Sequence, residues 1–175
     1  MGATLERLAT LRRGAEVKRF HTRPIIGELT VGHHTNGALN LLVVLHPNPP
    51  LLLIKAVMWH DMAEQVIGDA PAPGLWRNPE YARAYYETEK TYLREVVGLN
   101  MDHLSEEEHL WLMGVDKLDC LFFAFEQLRI GNLAMIETQE NLAKWFEERR
   151  TLMPMPIVEL YDEIMANQNT MLRWG

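Results

Sequence analysis

A histidine and an aspartate stand side by side in the stretch MWHDMAEQVIGDAPAP, as His60 and Asp61, and Glu64 follows shortly after them. On a helix, residues three apart share a face, and an adjacent residue is offset by about 100° at its edge. Imidazole nitrogens and carboxylate oxygens together suit zinc, manganese, cobalt or iron. The spacing therefore predicts part of a mixed metal site, although a His-Asp pair by itself is more often a solvated or capped pair.

Two other places in the chain carry groups that could complete such a site. His33 and His34 precede the run TNGALNLLVVL, and Asp116 and Asp119 lie in the segment GVDKLDCLFFAF. Asp116 is the more informative acid, because an unpaired carboxylate near a buried apolar face costs free energy that a metal ion would relieve. A structural ion pair with a nearby lysine or arginine is the alternative.

The composition limits the other functions to consider. With 175 residues and 47% hydrophobic content, the chain fits one domain, residues 1–175, with an ordinary packed core. A net charge of −7 argues against a protein that coats nucleic acid, which needs a broad basic face. The single cysteine, Cys120, excludes an internal disulfide and is interpreted as a core residue. No apolar run approaches a membrane span of roughly 20 residues, so we expect a cytoplasmic protein without membrane or nucleic-acid partners.

Apolar residues recur with helical spacing almost throughout the chain, and we predict an all-α fold. The predicted helices cover residues 4–13, 33–45, 51–67, 80–97, 105–130, 133–150 and 156–172. Ser105, which three glutamates follow, is the expected N-cap of the longest apolar helix. The segment GDAPAPGLWRNP is predicted to be a rigid loop, because its three prolines interrupt helical hydrogen bonding.

The order of these motifs resembles that of the HD-domain phosphohydrolases, whose H…HD…D signature is matched by His34, the His60-Asp61 pair and Asp116. The run HDMAEQVIGDAPAP is similar to the HDxxExxxGDxPxP segment of the 5'-deoxynucleotidase branch. KRFHTRPIIGELTVGHHT resembles the segment of that branch that leads to the first histidine, and VDKLDCLFFAFEQLRIGN resembles its aspartate-bearing helix. The resemblance covers most of residues 18–150 and implies an HD-domain helical bundle with additional C-terminal helices.

The resemblance also implies a set of metal ligands, which are His34, His60, Asp61 and Asp116. Asp119, one turn beyond Asp116, is the reserve candidate. The expected cofactor is a divalent transition metal, Zn²⁺, Co²⁺ or Mn²⁺, and a second divalent ion is expected to fit near Glu64 and Asp69.

Two residues match catalytic positions of the family. Glu64 corresponds to the carboxylate that orients or deprotonates the attacking water. The alternative is a surface ion pair, but His60 and Gly68, its neighbours four residues away, are neither lysine nor arginine. Arg19 matches the phosphate-orienting arginine, a task that the planar paired donors of a guanidinium suit. The alternative for Arg19 is a solvated member of a basic patch.

The residues that the resemblance places at the substrate are Arg19, Phe20, Thr22, Asp69, Ala70, Pro71, Ala72, Pro73 and Arg77. Phe20 would stack on a base, or else act as a plain core anchor. Asp69 would face the sugar or a phosphate-bound metal, or else simply form a turn. The branch commonly has a lysine just after its PxP motif, where this chain has Leu75, and Arg77 is the candidate replacement.

The compact chain resembles phage dATP triphosphohydrolases that accompany replacement of adenine by 2-aminoadenine in phage DNA. This resemblance implies hydrolysis of dATP to deoxyadenosine and triphosphate, in the host cytoplasm if the protein is phage-encoded. The first alternative is a 5'-deoxynucleotidase that acts on dNMPs, and the second is a non-catalytic nucleotide-binding module. The expected partner is a small deoxynucleotide, and the relatives imply a homo-oligomer, either a hexamer or a dimer.

Overall fold

The computed structural model describes residues 3–168, and the all-α prediction is confirmed within that range. The α-helices are α1 (Ala3–Ala15), α2 (Val31–Leu45), α3 (Leu51–Trp59), α4 (Glu64–Ile67), α5 (Ala72–Arg77), α6 (Pro79–Tyr92), α7 (Glu106–Arg129), α8 (Ile136–Arg149) and α9 (Met155–Ala166). Shorter 3-10 turns cover His60–Ala63, Met101–His103 and Leu133–Met135, and a π-helical turn covers Leu93–Val97. Residues 169–172 of the last predicted helix lie outside the described residues.

The long helix α7 is the centre of the bundle and packs against α2, α3, α8 and α9. Its N-terminus begins as the sequence predicts, because Ser105 Oγ accepts from the backbone N–H of Glu108 and the Glu108 carboxylate accepts from the backbone N–H of Ser105. The main hydrophobic core forms around α7, and its fully buried members include Leu42, Val57, Leu118, Leu121 and Ile157. A rigid central helix therefore carries the Asp116 region into the interior.

The predicted helix 51–67 is not continuous, which corrects the sequence-based expectation. Helices α3 and α4 are separated by the 3-10 turn His60–Ala63, because Trp59 has φ −125° and ψ 0°, a conformation that interrupts α-helical hydrogen bonding. Side chains three residues apart are eclipsed in a 3-10 helix. Asp61 and Glu64 consequently still project to the same side.

The prediction of a loop across the three prolines is also wrong in part, since helix α5 lies within it. Pro73 occupies the first turn of α5, where a missing backbone N–H costs nothing. Pro79 likewise begins α6, and the Asn78 side chain caps that helix by accepting from the N–H of Tyr81. Because Pro73 and Pro79 lie in the first turns of α5 and α6, they are compatible with helix formation in this segment.

A second core cluster supports the turn that carries His60 and Asp61. Helix α6 ends at Tyr92, earlier than the predicted residue 97, and continues as the π-helical turn Leu93–Val97. Leu93 and Val97 pack in one buried cluster with Met62 and Ala63 of the 3-10 turn. Apolar packing against Leu93 and Val97 therefore holds the irregular turn in place.

The segment between α1 and α2, which carries Arg19, is held by two buried amide side chains near the C-terminal end of α7. Gln127 accepts from the backbone N–H of Ile26 (2.8 Å) and donates to its carbonyl (2.9 Å). Asn132 donates to the carbonyl of Pro24 (2.9 Å) and to Gln127 Oε1 (2.8 Å). These contacts fix the path of the segment across the bundle.

Gln127→Ala should lower the free energy of unfolding by about 1–3 kcal/mol, because it leaves polar groups of Ile26 and Asn132 without their partners. Urea denaturation measures the change. Glu126→Ala, an exposed neighbour on the same helix, is the matched control and should change stability by less than about 0.5 kcal/mol. Equal stability of the two variants would show that the hydrogen bonds of Gln127 contribute nothing to the free energy of unfolding.

Within residues 3–168, no helix combines the length and the apolarity that crossing a membrane requires.

Candidate metal centre

Three structural elements bring histidines and an aspartate to one point in the interior. His34 projects from α2, His60 from the 3-10 turn and Asp116 from α7, and one ligand atom of each lies within 4.8 Å of the others. The two imidazole rings are 5.6 Å apart and nearly perpendicular, at 71°. His34 is completely buried, and the other two side chains are mostly so. The predicted ligands from distant parts of the chain therefore converge.

The orientation of the two imidazoles fits a bound divalent ion. His60 Nδ1 donates to the carbonyl of Val57 (3.0 Å), and His34 Nδ1 donates to Asp119 Oδ2 (2.7 Å). Each ring thereby presents Nε2 as its remaining nitrogen, and both Nε2 atoms are buried without a hydrogen-bond partner. Asp116 Oδ1 lies 3.0 Å from Nε2 of His34 and 3.9 Å from Nε2 of His60. Two free imidazole nitrogens beside one carboxylate are a donor set suited to a transition metal.

Asp61, the fourth predicted ligand, lies against the same cluster. Its Oδ1 is 3.2 Å from Nε2 of His60, and its Oδ2 is 3.6 Å from Nε2 of His34. Oδ2 also accepts a short hydrogen bond from Nη1 of Arg19. Although burial raises the pKa of Asp61, the neighbouring His60 and Arg19 lower it far below its usual range overall. The carboxylate is therefore ionised and shared between the histidines and the arginine.

The structure distinguishes the two aspartates of α7. Asp116 faces the free nitrogens of the histidines, whereas Asp119 contacts the opposite nitrogen of His34. Asp119, the reserve candidate, therefore lies behind the histidine and not beside the free nitrogens. Lys117 donates to Asp116 Oδ2 (2.6 Å), so the ion pair considered as an alternative exists together with the cluster.

Glu64 and Arg19 lie together beside the four predicted ligands. Arg19 Nη1 is 3.5 Å from Glu64 Oε1, while Arg19 Nε and Glu64 Oε2 are buried without hydrogen-bond partners. Burial, reinforced by the Asp61 carboxylate, raises the pKa of Glu64 to about 9. Burial lowers the pKa of Arg19, but the Asp61 carboxylate and other neighbouring groups raise it by more. The pKa is raised overall, so the guanidinium stays charged. The pair offers one free donor and one free acceptor next to the candidate metal ligands.

The raised pKa of Glu64 predicts that the metal-free protein becomes less stable between about pH 6 and pH 8. The folded protein keeps the proton of Glu64 up to about pH 9, whereas an unfolded glutamate releases it near about pH 4.3. Because the folded state binds the additional proton, stability falls as the pH rises, by about 1.4 kcal/mol per pH unit for one proton. Urea denaturation in the presence of a chelator at several pH values should give a shallower slope for Glu64→Gln, and equal slopes would contradict the assignment.

Cys120 was expected to be a simple core residue, and it is buried as expected. Its thiol nevertheless faces the site: Sγ donates to Asp116 Oδ1 at 3.9 Å and lies 4.0 Å from Arg19 Nη2. Burial, with a further contribution from Asp116, raises the pKa of Cys120 to about 12. The Cys120 thiol is therefore protonated and lines the site, and it is not a nucleophile.

Phe20 and Asp69, both predicted to bind substrate, contact each other. The backbone N–H of Phe20 donates to Asp69 Oδ2 (2.9 Å), and His21 Nδ1 lies 3.6 Å from the same oxygen. Phe20 has φ 56°, a strained value for a residue with a side chain, and its ring packs 5.3 Å from that of Phe123. The structure thus packs the partly buried Phe20 against Phe123 and places Asp69 where it holds the strained loop, while Thr22 is exposed.

The predicted wall of the substrate site follows Asp69. Ala70, Pro71 and Pro73 are partly buried, whereas Ala72 and Arg77 are exposed, at the start and end of α5. The hydroxyl of Tyr85 on α6 donates to the carbonyl of Gly68 (2.9 Å) and holds the beginning of this wall. The structure places Arg77 at the surface, in the last turn of α5.

Two residues of α6 near the site were not anticipated from the sequence. Burial raises the pKa of Glu89 to about 7, and the Asp61 carboxylate contributes to this shift. Burial also raises the pKa of Tyr85 above its usual range, and Glu64 is the second cause. The two are four residues apart, so one face of an otherwise polar helix lies toward the site. That spacing was the available signal in the sequence.

Comparison with known proteins supplies relatives in both sequence and structure. No protein-family model matches the chain. A 5'-deoxynucleotidase of Enterobacter sp. (strain 638) is 29% identical over 107 residues, and one of Yersinia pestis (strain Pestoides F) is 27% identical over 107 residues. Each alignment covers 54% of this chain and 54% of the relative, so the chain spans about half the length of the curated relatives it matches.

Two solved structures resemble the fold over nearly its whole length. The cyanophage S-2L HD phosphohydrolase DatZ, bound to dA and one catalytic Zn²⁺ ion, matches with a TM-score of 0.71 at 18% identity, over 99% of this chain and 98% of that one. The PH0347 protein of Pyrococcus horikoshii OT3 matches with a TM-score of 0.66 at 17% identity, over 97% and 98% of the two chains.

The fold is thus the helical bundle of an HD phosphohydrolase, and the prediction of that bundle is confirmed. The chain is thus similar in sequence to 5'-deoxynucleotidases over about half its length, and similar in fold to an HD phosphohydrolase over nearly its whole length.

Proposed function

We propose that the protein is a metal-dependent phosphohydrolase of deoxynucleotides, and specifically a dATP triphosphohydrolase that releases deoxyadenosine and triphosphate. The observation that carries the proposal is the pair of buried, unpartnered imidazole nitrogens of His34 and His60 beside Asp116, with Glu64 and Arg19 next to them. The full-length fold match to DatZ, whose structure holds dA and Zn²⁺, supports the choice of substrate.

Four side chains would hold the ion, and these are His34, His60, Asp61 and Asp116. A divalent ion bound there, Zn²⁺, Co²⁺ or Mn²⁺, supplies Lewis-acid polarisation of a phosphoryl oxygen and of water. A second ion near Glu64 and Asp69 has weaker support, because Asp69 Oδ2 already accepts from the backbone of Phe20.

Glu64 and Arg19 provide the remaining chemistry. In the proposed reaction, water attacks the α-phosphorus of dATP, the bond from that phosphorus to the 5' oxygen breaks, and the 5' oxygen takes up a proton and leaves as the hydroxyl of deoxyadenosine. Glu64 Oε2 has no partner and is the atom that would orient the water and accept its proton. Burial and Asp61 raise the pKa of Glu64 to about 9 in the metal-free protein, and the positive charge of a divalent ion beside it would add to that of Arg19 in favouring the carboxylate form. Arg19 Nε, also unpartnered, donates to a phosphate oxygen and stabilises the charge that develops on it.

The second candidate is a 5'-deoxynucleotidase that hydrolyses dNMPs with the same residues. The curated sequence relatives favour it, because the two described above are named 5'-deoxynucleotidases. The branch commonly has a lysine after its PxP motif, and the exposed position of Arg77 argues against a direct replacement of that lysine.

Within the triphosphohydrolase proposal, the physiological role is removal of dATP during phage replication with 2-aminoadenine DNA.

The products distinguish the two candidates. Metal-reconstituted protein is incubated separately with dATP, the other dNTPs, ATP, 2-amino-dATP and dAMP, and the products are separated by chromatography. The proposal predicts deoxyadenosine and triphosphate from dATP before all other substrates, with 2-amino-dATP hydrolysed much more slowly because its additional amino group clashes in the base pocket. Orthophosphate from dAMP, with intact dNTPs, would establish the nucleotidase instead.

A further inference from the structure

Asp119 makes a contact that none of the proposed catalytic steps uses. Its Oδ2 accepts from Nδ1 of His34 at 2.7 Å, across 85 positions of sequence, and its side chain is only 17% exposed. His34 itself is completely buried in α2. A buried carboxylate at this distance is a strong acceptor, and it holds the imidazole from the side opposite the candidate metal ligands.

The contact determines which nitrogen of His34 is free. Because an ionised carboxylate can only accept, a hydrogen bond to Asp119 uses Nδ1 as the donor and leaves Nε2, which lies 3.0 Å from Asp116 and 3.6 Å from Asp61, as the nitrogen available to an ion. Histidines that bind metals generally need such a partner, and the carbonyl of Val57 has that role for His60.

Gly37 provides the space for Asp119. A Cβ atom at position 37 would lie 1.8 Å from Asp119 Oδ1 and 2.8 Å from its Cγ, so any side chain there would displace the carboxylate. Gly37 lies within α2, one turn after His34, where helix propensity favours alanine. Gly37 therefore lowers the helix propensity of α2 but leaves room for the Asp119 carboxylate of α7.

We propose that Asp119 is a positioning residue for His34 in the metal centre and that Gly37 acts through Asp119. The proposal rests on the metal-dependent function proposed above. It goes beyond that function because it assigns roles to two residues that touch neither the substrate nor the ion.

The experiment titrates metal-stripped protein with Co²⁺ and follows the visible absorption spectrum, which reports both affinity and coordination geometry. The variants are Asp119→Ala, Asp119→Asn, Gly37→Ala and the double variant Gly37→Ala with Asp119→Ala. Asn36→Ala, an exposed neighbour on the same helix, is the matched control. Circular dichroism and thermal unfolding of each metal-free variant confirm that the bundle remains folded.

Asp119→Ala should bind Co²⁺ about 10- to 100-fold more weakly. Asp119→Asn keeps an acceptor oxygen without the charge, so its Co²⁺ affinity should fall less than that of Asp119→Ala. Gly37→Ala should weaken binding by about tenfold or more, although the helicity of the metal-free protein is maintained. The double variant should bind no more weakly than Asp119→Ala, because Gly37 acts only through that carboxylate.

Two results would overturn the inference. Wild-type affinity in both Asp119→Ala and Gly37→Ala would show that the contact does not position His34. Additive losses in the double variant would show that Gly37 acts independently of Asp119. A wild-type protein that binds no Co²⁺ would instead refute the metal centre of the proposed function, so the two failures are distinguishable.

Discussion

Glu64→Gln is expected to lower kcat for deoxynucleotide hydrolysis by about 10²–10⁴-fold, the usual contribution of a positioned general base. Glutamine keeps the size of the side chain and its place against Arg19, but it cannot accept a proton. Metal affinity should change little, because Glu64 is not among the four groups that surround the free imidazole nitrogens. Steady-state kinetics with dATP, together with metal content after dialysis, measure both effects.

Glu87→Gln, an exposed carboxylate on α6, is the control for this variant and should retain wild-type kcat. A non-catalytic nucleotide-binding module makes the opposite prediction for Glu64, since pure binding does not need a proton acceptor. Unchanged kcat in Glu64→Gln would therefore remove the general-base role. Nucleotide binding without hydrolysis by the wild-type protein would favour the binding module.

His34→Ala should abolish stoichiometric binding of Zn²⁺ or Co²⁺ and reduce hydrolysis to background, an effect of at least about 100-fold on metal affinity. The imidazole is completely buried, and its Nε2 lies beside Asp116 and Asp61 without a hydrogen-bond partner. The variant also leaves Asp119 without its hydrogen-bond donor. Isothermal titration with Zn²⁺ and metal analysis of purified protein measure the loss.

His33→Ala is an unusually close control, because the substituted residue is the adjacent histidine. His33 is exposed, and only its backbone N–H contributes to the N-cap at Thr30. Its replacement should leave metal stoichiometry and kcat unchanged. If His33→Ala lost the metal and His34→Ala kept it, the assignment of the ligands along α2 would be wrong.

The convergence of the candidate ligands could be predicted from the sequence because the resemblance to the family relates His34, the His60-Asp61 pair and Asp116, and the structure brings these side chains together. The choice of His34 over His33 has a physical counterpart in the structure: Thr30 caps α2, and this register buries His34 and exposes His33. The apolar neighbours of Asp116 indicated a position near a buried face, and the choice of Asp116 over Asp119 came from the resemblance to the family. Local patterns thus predicted which groups would be buried and polar at once.

The contacts between distant segments could not be predicted in the same way. The hydrogen bond of Asp119 to His34 depends on the packing of α7 against α2, and no local pattern distinguishes Asp119 from any carboxylate one turn beyond a ligand. The irregular turn after Trp59 was missed because apolar periodicity continues through it. The position of Asp69 depends on the strained backbone of Phe20, which a residue-by-residue reading does not reveal.

The metal dependence of dATP hydrolysis tests the proposed function most directly. Protein stripped with a chelator is assayed by chromatography before and after addition of one equivalent of Co²⁺ or Zn²⁺. A metal-dependent dATP triphosphohydrolase should form no deoxyadenosine when stripped, and it should release deoxyadenosine and triphosphate once the metal is restored. Hydrolysis that is unaffected by stripping would contradict this function, as would a reconstituted protein that leaves every deoxynucleotide intact.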